Sequence, residues 1–278
     1  MRVLPFSYLE QRGAVEPTPP AEIVTDGLVY FWDWAEPGTL VNDPGSINSY
    51  AWTYKFYDKV SNAFMYLRGF DLGDISTNWI DIPGTGLKSG WMRASTNGGV
   101  AFGTTDVTIE TWMDIKTPQV TLNSLQQVIV LASGAIEPNQ GVGFPNLYIG
   151  PQNGGDSQLK GRVIYVGSPL GDSLPYYDIT NGQFYHTVCT WNNTTGFLKL
   201  YINGTYVATN SPAALNGYSW GSPDWHIGED YNSDAFSSAS DRRSVKSRVG
   251  NQRVYDRILT DAEVLQNYQA EQSLYIGQ

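Results

Sequence analysis

The chain has 278 residues, of which 41% are hydrophobic and 16% charged, enough apolar material for one large β domain or two small ones. Lys and Arg total 17 and Asp and Glu 27, so the formal charge is −10. That balance argues against a nucleic-acid binder, which needs a basic footprint to displace counterions, and suits an anionic membrane surface poorly.

Cys189 is the only cysteine, so neither an intramolecular disulfide nor a cysteine-based zinc site can form, and it reads as a small strand residue. His186 and His226 are the only histidines, which excludes a His-rich metal centre. The opening MRVLPFSYLEQRG holds no sustained apolar stretch, so no signal peptide is read there.

Residues 1–25 are Pro-rich (Pro5, Pro17, Pro19, Pro20) and have no convincing period. Their apolar residues, Leu4, Phe6, Tyr8 and Leu9, leave two readings: a flexible tail, or an arm that docks on a neighbouring subunit. Residues 26–278 read as one β domain, since no internal repeat or second composition regime divides them. GLVYFWDW at 27–34 predicts a strand whose aromatic density asks for burial on both faces. A turn-rich loop is predicted over 35–49, then strands near 52–57, 63–70 and 79–82. Residues 83–99 are predicted to be a loop carrying Trp91.

DVTIETWMDI at 106–115 is a clear strand. Val107, Ile109, Met113 and Ile115 share one face; Thr108, Glu110, Trp112 and Asp114 share the other. Shorter strands are predicted at 127–132, 147–150 and 161–166. Residues 184–210 predict a three-stranded meander. Asn203-Gly204 supplies a type I′ hairpin turn, and the polar link from Asn192 to Gly196 supplies the other reversal. Leu198, Leu200 and Ile202 alternate with Phe197, Lys199 and Tyr201, and burying each is worth about 1.5–3 kcal/mol before entropy. A second layer must cover that face. A strand follows at 225–228, a Ser- and Asp-rich surface excursion at 231–246, and a last strand at 249–255. Thr260 and Glu263 stand at capping-box separation and open a helix over 261–271.

These segments, in this order, resemble the laminin-G-like branch of the concanavalin A-like jelly rolls. The likeness is carried by GLVYFWDW, DVTIETWMDI, FYHTVCTWNNTTGFLKLYINGTYVA, WHIGED and NQRVYDRILTDAEVLQNYQ. It implies an all-β fold: two antiparallel sheets packed face to face, one short C-terminal helix, and a concave surface that often binds sugars. The hairpin and closing helix look similar to versions of this domain in tailed-phage virion proteins. That implies a capsid decoration or a fibre or tail appendage, assembled in the host cytoplasm, homo-oligomeric, and attached to other virion proteins through Leu4, Phe6, Tyr8 and Leu9.

Sugar sites pair aromatic platforms with fixed polar groups, because pyranose faces are apolar and their rims carry hydroxyls. Loop-borne candidates are Trp91, Tyr176, Tyr177, Tyr218, Trp220 and Trp225, with Asp224 beside them. Asp230, Asn232 and Asp234 alternate as a calcium candidate, although the full calcium-loop motif is absent. No other cofactor is expected. Glu110 and Asp114 have the spacing of the outer two acids of a Glu-x-Asp-x-Glu glucanase strand, but Trp112 takes the middle position. They therefore read as hydrogen-bonding to neighbours or facing water. The expectation is a non-enzymatic virion structural protein that adheres weakly to glycans. A free-standing carbohydrate-binding module, and a glycan hydrolase using Glu110 and Asp114, stay as alternatives.

Overall fold

In the computed structural model of the chain, Asn203 and Gly204 both take positive φ, 50° and 74°. That is the backbone of the predicted type I′ turn, whose twist matches that of the strands it joins. The structure describes residues 21–36, 39–47, 50–61, 63–83, 89–92, 105–115, 128–133, 146–151, 159–164, 176–178, 180, 182–210, 225–227 and 246–278.

The strands are β1 (Leu28–Trp32), β2 (Leu40–Ile47), β3 (Tyr50–Tyr57), β4 (Phe64–Arg68), β5 (Ile80–Pro83), β6 (Ser89–Met92), β7 (Val107–Ile115) and β8 (Val128–Ser133). They continue with β9 (Asn146–Pro151), β10 (Leu159–Ile164), β11 (Tyr176–Asp178), β12 (Tyr185–Trp191), β13 (Leu198–Ile202), β14 (Thr205–Asn210), β15 (Trp225–Ile227) and β16 (Lys246–Tyr255). One helix, α1 (Asp261–Tyr275), closes the described chain and runs four residues past its predicted end.

The described strands form two antiparallel sheets. The first has seven strands in the order β1-β16-β7-β12-β13-β14, with β5 also paired to β16; the second has nine in the order β11-β10-β9-β8-β15-β6-β4-β3-β2. Between them lies the main core. The first sheet contributes Tyr30, Trp32, Ile109, Cys189, Trp191, Leu198, Leu200 and Val254; the second contributes Tyr54, Phe56, Met65, Leu67 and Trp225. The predicted face of Leu198, Leu200 and Ile202 is the buried one, at 0%, 1% and 5% exposure. Cys189 is a free, buried strand residue, and burial pushes its thiol well above the usual range.

Three segments read as loops hold strands: β2, β6 and β11. In β2, Asp43-Pro44-Gly45 looks like a turn, but β2 is the outermost strand of its sheet and carries a bulge between Asn42 and Gly45. An edge strand tolerates a proline because one side of its backbone has no ladder to lose. The short β6 exists because β4 and β15 flank it on both sides.

The outer face of the first sheet is covered by α1. Thr260 Oγ1 accepts from the Glu263 amide, and Glu263 Oε2 accepts from the Thr260 amide, so the predicted capping box forms. Arg257 grips the same Glu263 carboxylate with both terminal nitrogens, at 3.0 and 2.8 Å. The far end of the helix is seated by Tyr275, whose hydroxyl accepts from the Asn251 amide (2.9 Å) and donates to the Asn78 carbonyl (3.0 Å). Tyr275 packs directly against Gly250: a Cβ there would stand 2.5 Å from the ring. Gly250→Ala is therefore expected to lower stability by about 1–3 kcal/mol through overpacking, read as a fall in thermal midpoint; an unchanged midpoint would show that Tyr275 moves aside freely.

Candidate functional site

Alternation along β7 directs Thr108, Glu110, Trp112 and Asp114 to the α1 side, and all four are fully buried there. Glu110 sits at the centre of a closed polar cluster. Its Oε1 lies 2.6 Å from Arg253 Nη1 and 3.0 Å from His186 Nε2, and its Oε2 accepts from Asn267 Nδ2 at 2.7 Å. Arg253 pairs on its other side with Glu271, whose Oε1 also accepts from Asn251 and whose Oε2 accepts from the Trp112 indole at 2.9 Å. Burial alone would raise the Glu110 carboxyl, but the Arg253 guanidinium and His186 outweigh it and hold it at about 2. The same two glutamates keep Arg253 firmly charged against the opposing effect of burial.

Asp114 belongs to a different pair. Its Oδ2 accepts from Arg248 Nε and Nη2, both at 2.8 Å, while that guanidinium lies 4.4 Å from the Phe184 ring centre. The two acids with glucanase spacing thus hydrogen-bond to separate arginines beneath a helix. Of the two readings given to them, hydrogen-bonding to neighbours is the one the structure bears out; facing water is not.

The segment leading into β1 is tied down on this side as well. Asn267 Oδ1 accepts from the Val24 amide (2.7 Å), Tyr255 Oη donates to the Val24 carbonyl (3.1 Å), and Gln266 Nε2 donates to the Glu22 carbonyl (2.7 Å).

The opposite outer face, on the second sheet, differs in character. Along β4 the buried Met65 and Leu67 alternate with the half-buried Phe64, Tyr66 and Arg68. On β3, Tyr54 and Phe56 go inward and Lys55 and Tyr57 outward, and the register sets Lys55 beside Tyr66 and Tyr57 beside Phe64. The outward rings form a continuous aromatic ladder. Tyr57 and Phe64 are 5.3 Å apart between centroids, Phe64 and Tyr66 5.1 Å, and Tyr66 and Trp52 4.0 Å. Lys55 reaches over Phe64 at 5.0 Å and pairs with Asp43 at 2.5 Å. Trp52 donates its indole N–H to the Asp43 carbonyl at 2.8 Å. Half-exposed rings with polar groups at their margins match the chemistry of a sugar platform.

Against this geometry the comparisons are specific about kind. The sequence profile described as "Concanavalin A-like lectin/glucanases superfamily", of the Laminin_G_3 type, matches residues 88–265. The chain belongs to this family. No curated protein matches it by sequence. Among solved structures it is similar to a Trypanosoma rangeli sialidase in complex with 2,3-difluorosialic acid, a covalent intermediate. There the TM-score is 0.62 at 16% identity, with 93% of this chain and 35% of the sialidase covered. The same sialidase in complex with sialic acid gives a TM-score of 0.59 at 16% identity, covering 94% and 36%. The binding domain of botulinum neurotoxin DC in complex with rat synaptotagmin II gives 0.57 at 12%, covering 88% and 52%. The chain spans about a third of the sialidase chains it matches, and at these identities the likeness is one of fold.

The reading of the chain as a non-enzyme is corrected by this comparison. The solved chains of its fold include sialidases, one of them a covalent intermediate, so its relatives in fold include enzymes.

The predicted sugar-site residues separate. Trp225 is corrected: it is 0% exposed in the core, tilted against Trp32 at 6.3 Å and edge-on to Tyr30 at 5.9 Å, and offers no face to a ligand. Trp91 lies on β6, and Tyr176 and Tyr177 lie on β11, so these three are strand-borne and not loop-borne. Trp91 is the backbone register partner of Tyr66 on the neighbouring strand. Tyr218, Trp220 and Asp224, the calcium candidates Asp230, Asn232 and Asp234, and the arm residues Leu4, Phe6, Tyr8 and Leu9 lie outside the described residues. Among the described residues, no group of three or more His, Cys, Asp or Glu side chains is placed to hold a metal. Trp52, Tyr57, Phe64 and Tyr66 are not among the residues that the sequence singled out. Alternation with Phe56, Met65 and Leu67 groups Tyr57, Phe64 and Tyr66 on one face, whereas Trp52 shares the parity of the inward Tyr54 and Phe56 and its contact with Tyr66 is visible only in the fold.

Proposed function

We propose that this chain is a glycan-recognising β-sandwich displayed on a virion, as a capsid decoration or a fibre or tail appendage built as a homo-oligomer. The aromatic ladder of the second sheet carries the recognition half of this reading. Its rings offer flat apolar faces, and Lys55, Asp43 and the tyrosine hydroxyls offer partners for sugar hydroxyls. Membership of a lectin-containing family supports the same half.

The attachment half rests on residues 1–20, with Leu4, Phe6, Tyr8 and Leu9 as docking residues, and on the path of the segment after them. Glu22 and Val24 are bound to α1, on the face of the sandwich opposite the ladder. An attachment made on that side turns the ladder outward.

Two alterations separate the halves. Deleting residues 1–20 is expected to abolish incorporation into the particle and leave glycan adhesion of the purified protein intact. Replacing Tyr57 and Tyr66 by Ala together is expected to do the reverse. A truncated protein that still assembles would remove the arm from the proposal; a double variant that still adheres would remove the ladder.

A further inference from the structure

Resting on the attachment reading above, we infer that residues 4–8 of one copy add as a strand to the free edge of β14 in a second copy of this chain. β14 ends the first sheet and, among the described residues, pairs only with β13. The backbone groups on its outer side are therefore open to an added strand. The second sheet protects its edge at β2 with Pro44 and a bulge between Asn42 and Gly45. β14 reads TYVATN, with no charge and no proline. Its one irregularity is a register shift against β13 between Leu200 and Tyr201. An apolar margin lies beside this edge. Tyr206 is 44% exposed and edge-on to Tyr201, whose hydroxyl donates to Asp261 of α1, so its ring stands on the helix side. Leu265 of α1 is 40% exposed and leans on the hairpin tip, 3.0 Å from where a Gly204 Cβ would stand.

The first residues of the chain suit this edge. Leu4, Phe6 and Tyr8 stand at every second position, so in a strand they share one face, which meets Tyr206 and Leu265. Pro5 falls at the other parity, where backbone groups point away from β14, so its missing N–H costs the new ladder nothing. Arg2 and Arg12 outweigh Glu10, which makes this segment basic in a chain whose formal charge is −10. The path of the chain selects a second copy over the same one. Val24 is held by the buried Asn267 and Glu22 by the exposed Gln266, so the chain traced backward climbs from the sheet side of α1 to its outer side. Pro17, Pro19 and Pro20 come immediately before that point. Proline-rich chain is extended and semi-rigid at about 3.1 Å per residue, so residues 10–20 span on the order of 30 Å. Such a spacer carries Leu4, Phe6 and Tyr8 beyond the copy that bears them, to the edge of a neighbour.

The test mixes two full-length proteins, one carrying Ser7→Cys and the other Thr205→Cys, with a short bismaleimide. Cys189 is buried and its thiol is pushed well above the usual range, so the introduced thiols are the ones that react. The expected product is a covalent pair of unlike chains, at least about tenfold more abundant than the pairs that either protein gives alone. Adding Phe6→Asp and Tyr8→Asp to the first protein is expected to lower that yield about tenfold and leave the thermal midpoint unchanged. Tyr206→Lys in the second protein puts a charge on the edge and is expected to lower the yield to a similar degree. If it also lowers the midpoint, the arm variant decides. Undiminished yield from the arm variant overturns the inference. So does reaction confined to single chains when both cysteines are placed in one protein. In either case, loss of particle incorporation on deleting residues 1–20 keeps the attachment reading in place. Pairing of unlike chains together with full incorporation of the truncated protein removes the attachment reading and keeps the strand addition.

Discussion

Replacing Arg253 by Met is expected to cost about 3–5 kcal/mol of folding stability, because it strands two buried carboxylates. Arg253 is fully buried and lies between Glu110 and Glu271, with its guanidinium 4.3 Å from the Phe31 ring centre. The pair joins β16 to β7 within the sheet and to α1 above it. Losing the cation leaves Glu110 and Glu271 facing each other in a region closed to water. Urea unfolding of the purified chain measures the effect. Restoring neutrality by adding Glu110→Gln and Glu271→Gln to Arg253→Met is expected to recover part of the loss, because buried ion pairs cost desolvation that neutral groups do not. A single variant within about 1 kcal/mol of the parent would mean that α1 lifts and lets water in, and that the cluster does not fasten the helix.

Acid is expected to loosen the same seam. In the folded chain the Glu110 carboxyl is held at about 2, below its ordinary value of 4.5. The unfolded chain therefore takes up the proton first as pH falls, and stability rises with pH across that window. The contribution is fully present above pH 4.5 and is lost as pH falls through about 2. A shift of that size corresponds to something on the order of 3 kcal/mol. Glu263 moves in the same direction, held at about 2 first by its hydrogen bond to Arg257, but it is partly exposed and solvent weakens its share. Urea midpoints taken from pH 2 to pH 7 should slope upward for the parent and flatten below pH 4.5 in Glu110→Gln. Parallel curves for the two proteins would assign the acid sensitivity to other carboxylates.

Both expectations depend on a cover that no local pattern announces. The period of two along β7 correctly places Glu110, Trp112 and Asp114 on one face. It says nothing of what lies above that face, which is a helix about 150 residues later in the chain. Hence the residues could be grouped from sequence, while their burial could not. Trp225 shows the converse error. A tryptophan in a three-residue strand next to Gly, Ser and Pro reads as accessible, yet β6 and β8 flank that strand and the core closes over its ring. On β3 and β4, aromatic residues stand at both parities, so hydropathy does not distinguish the inward Tyr54 and Phe56 from the outward Tyr57 and Tyr66.

By itself the sequence determined what acts over a few residues. The Asn203-Gly204 turn, the alternation of Leu198, Leu200 and Ile202, and the Thr260–Glu263 cap come from backbone sterics and neighbouring side chains. Their order along the chain was enough to identify the family and its two-layered fold. Tertiary structure alone decided which face of each sheet meets water. Exposure is set by the element that arrives from elsewhere: α1 over the acids of β7, the first sheet over Trp225, and solvent over the rings of Tyr57, Phe64 and Tyr66.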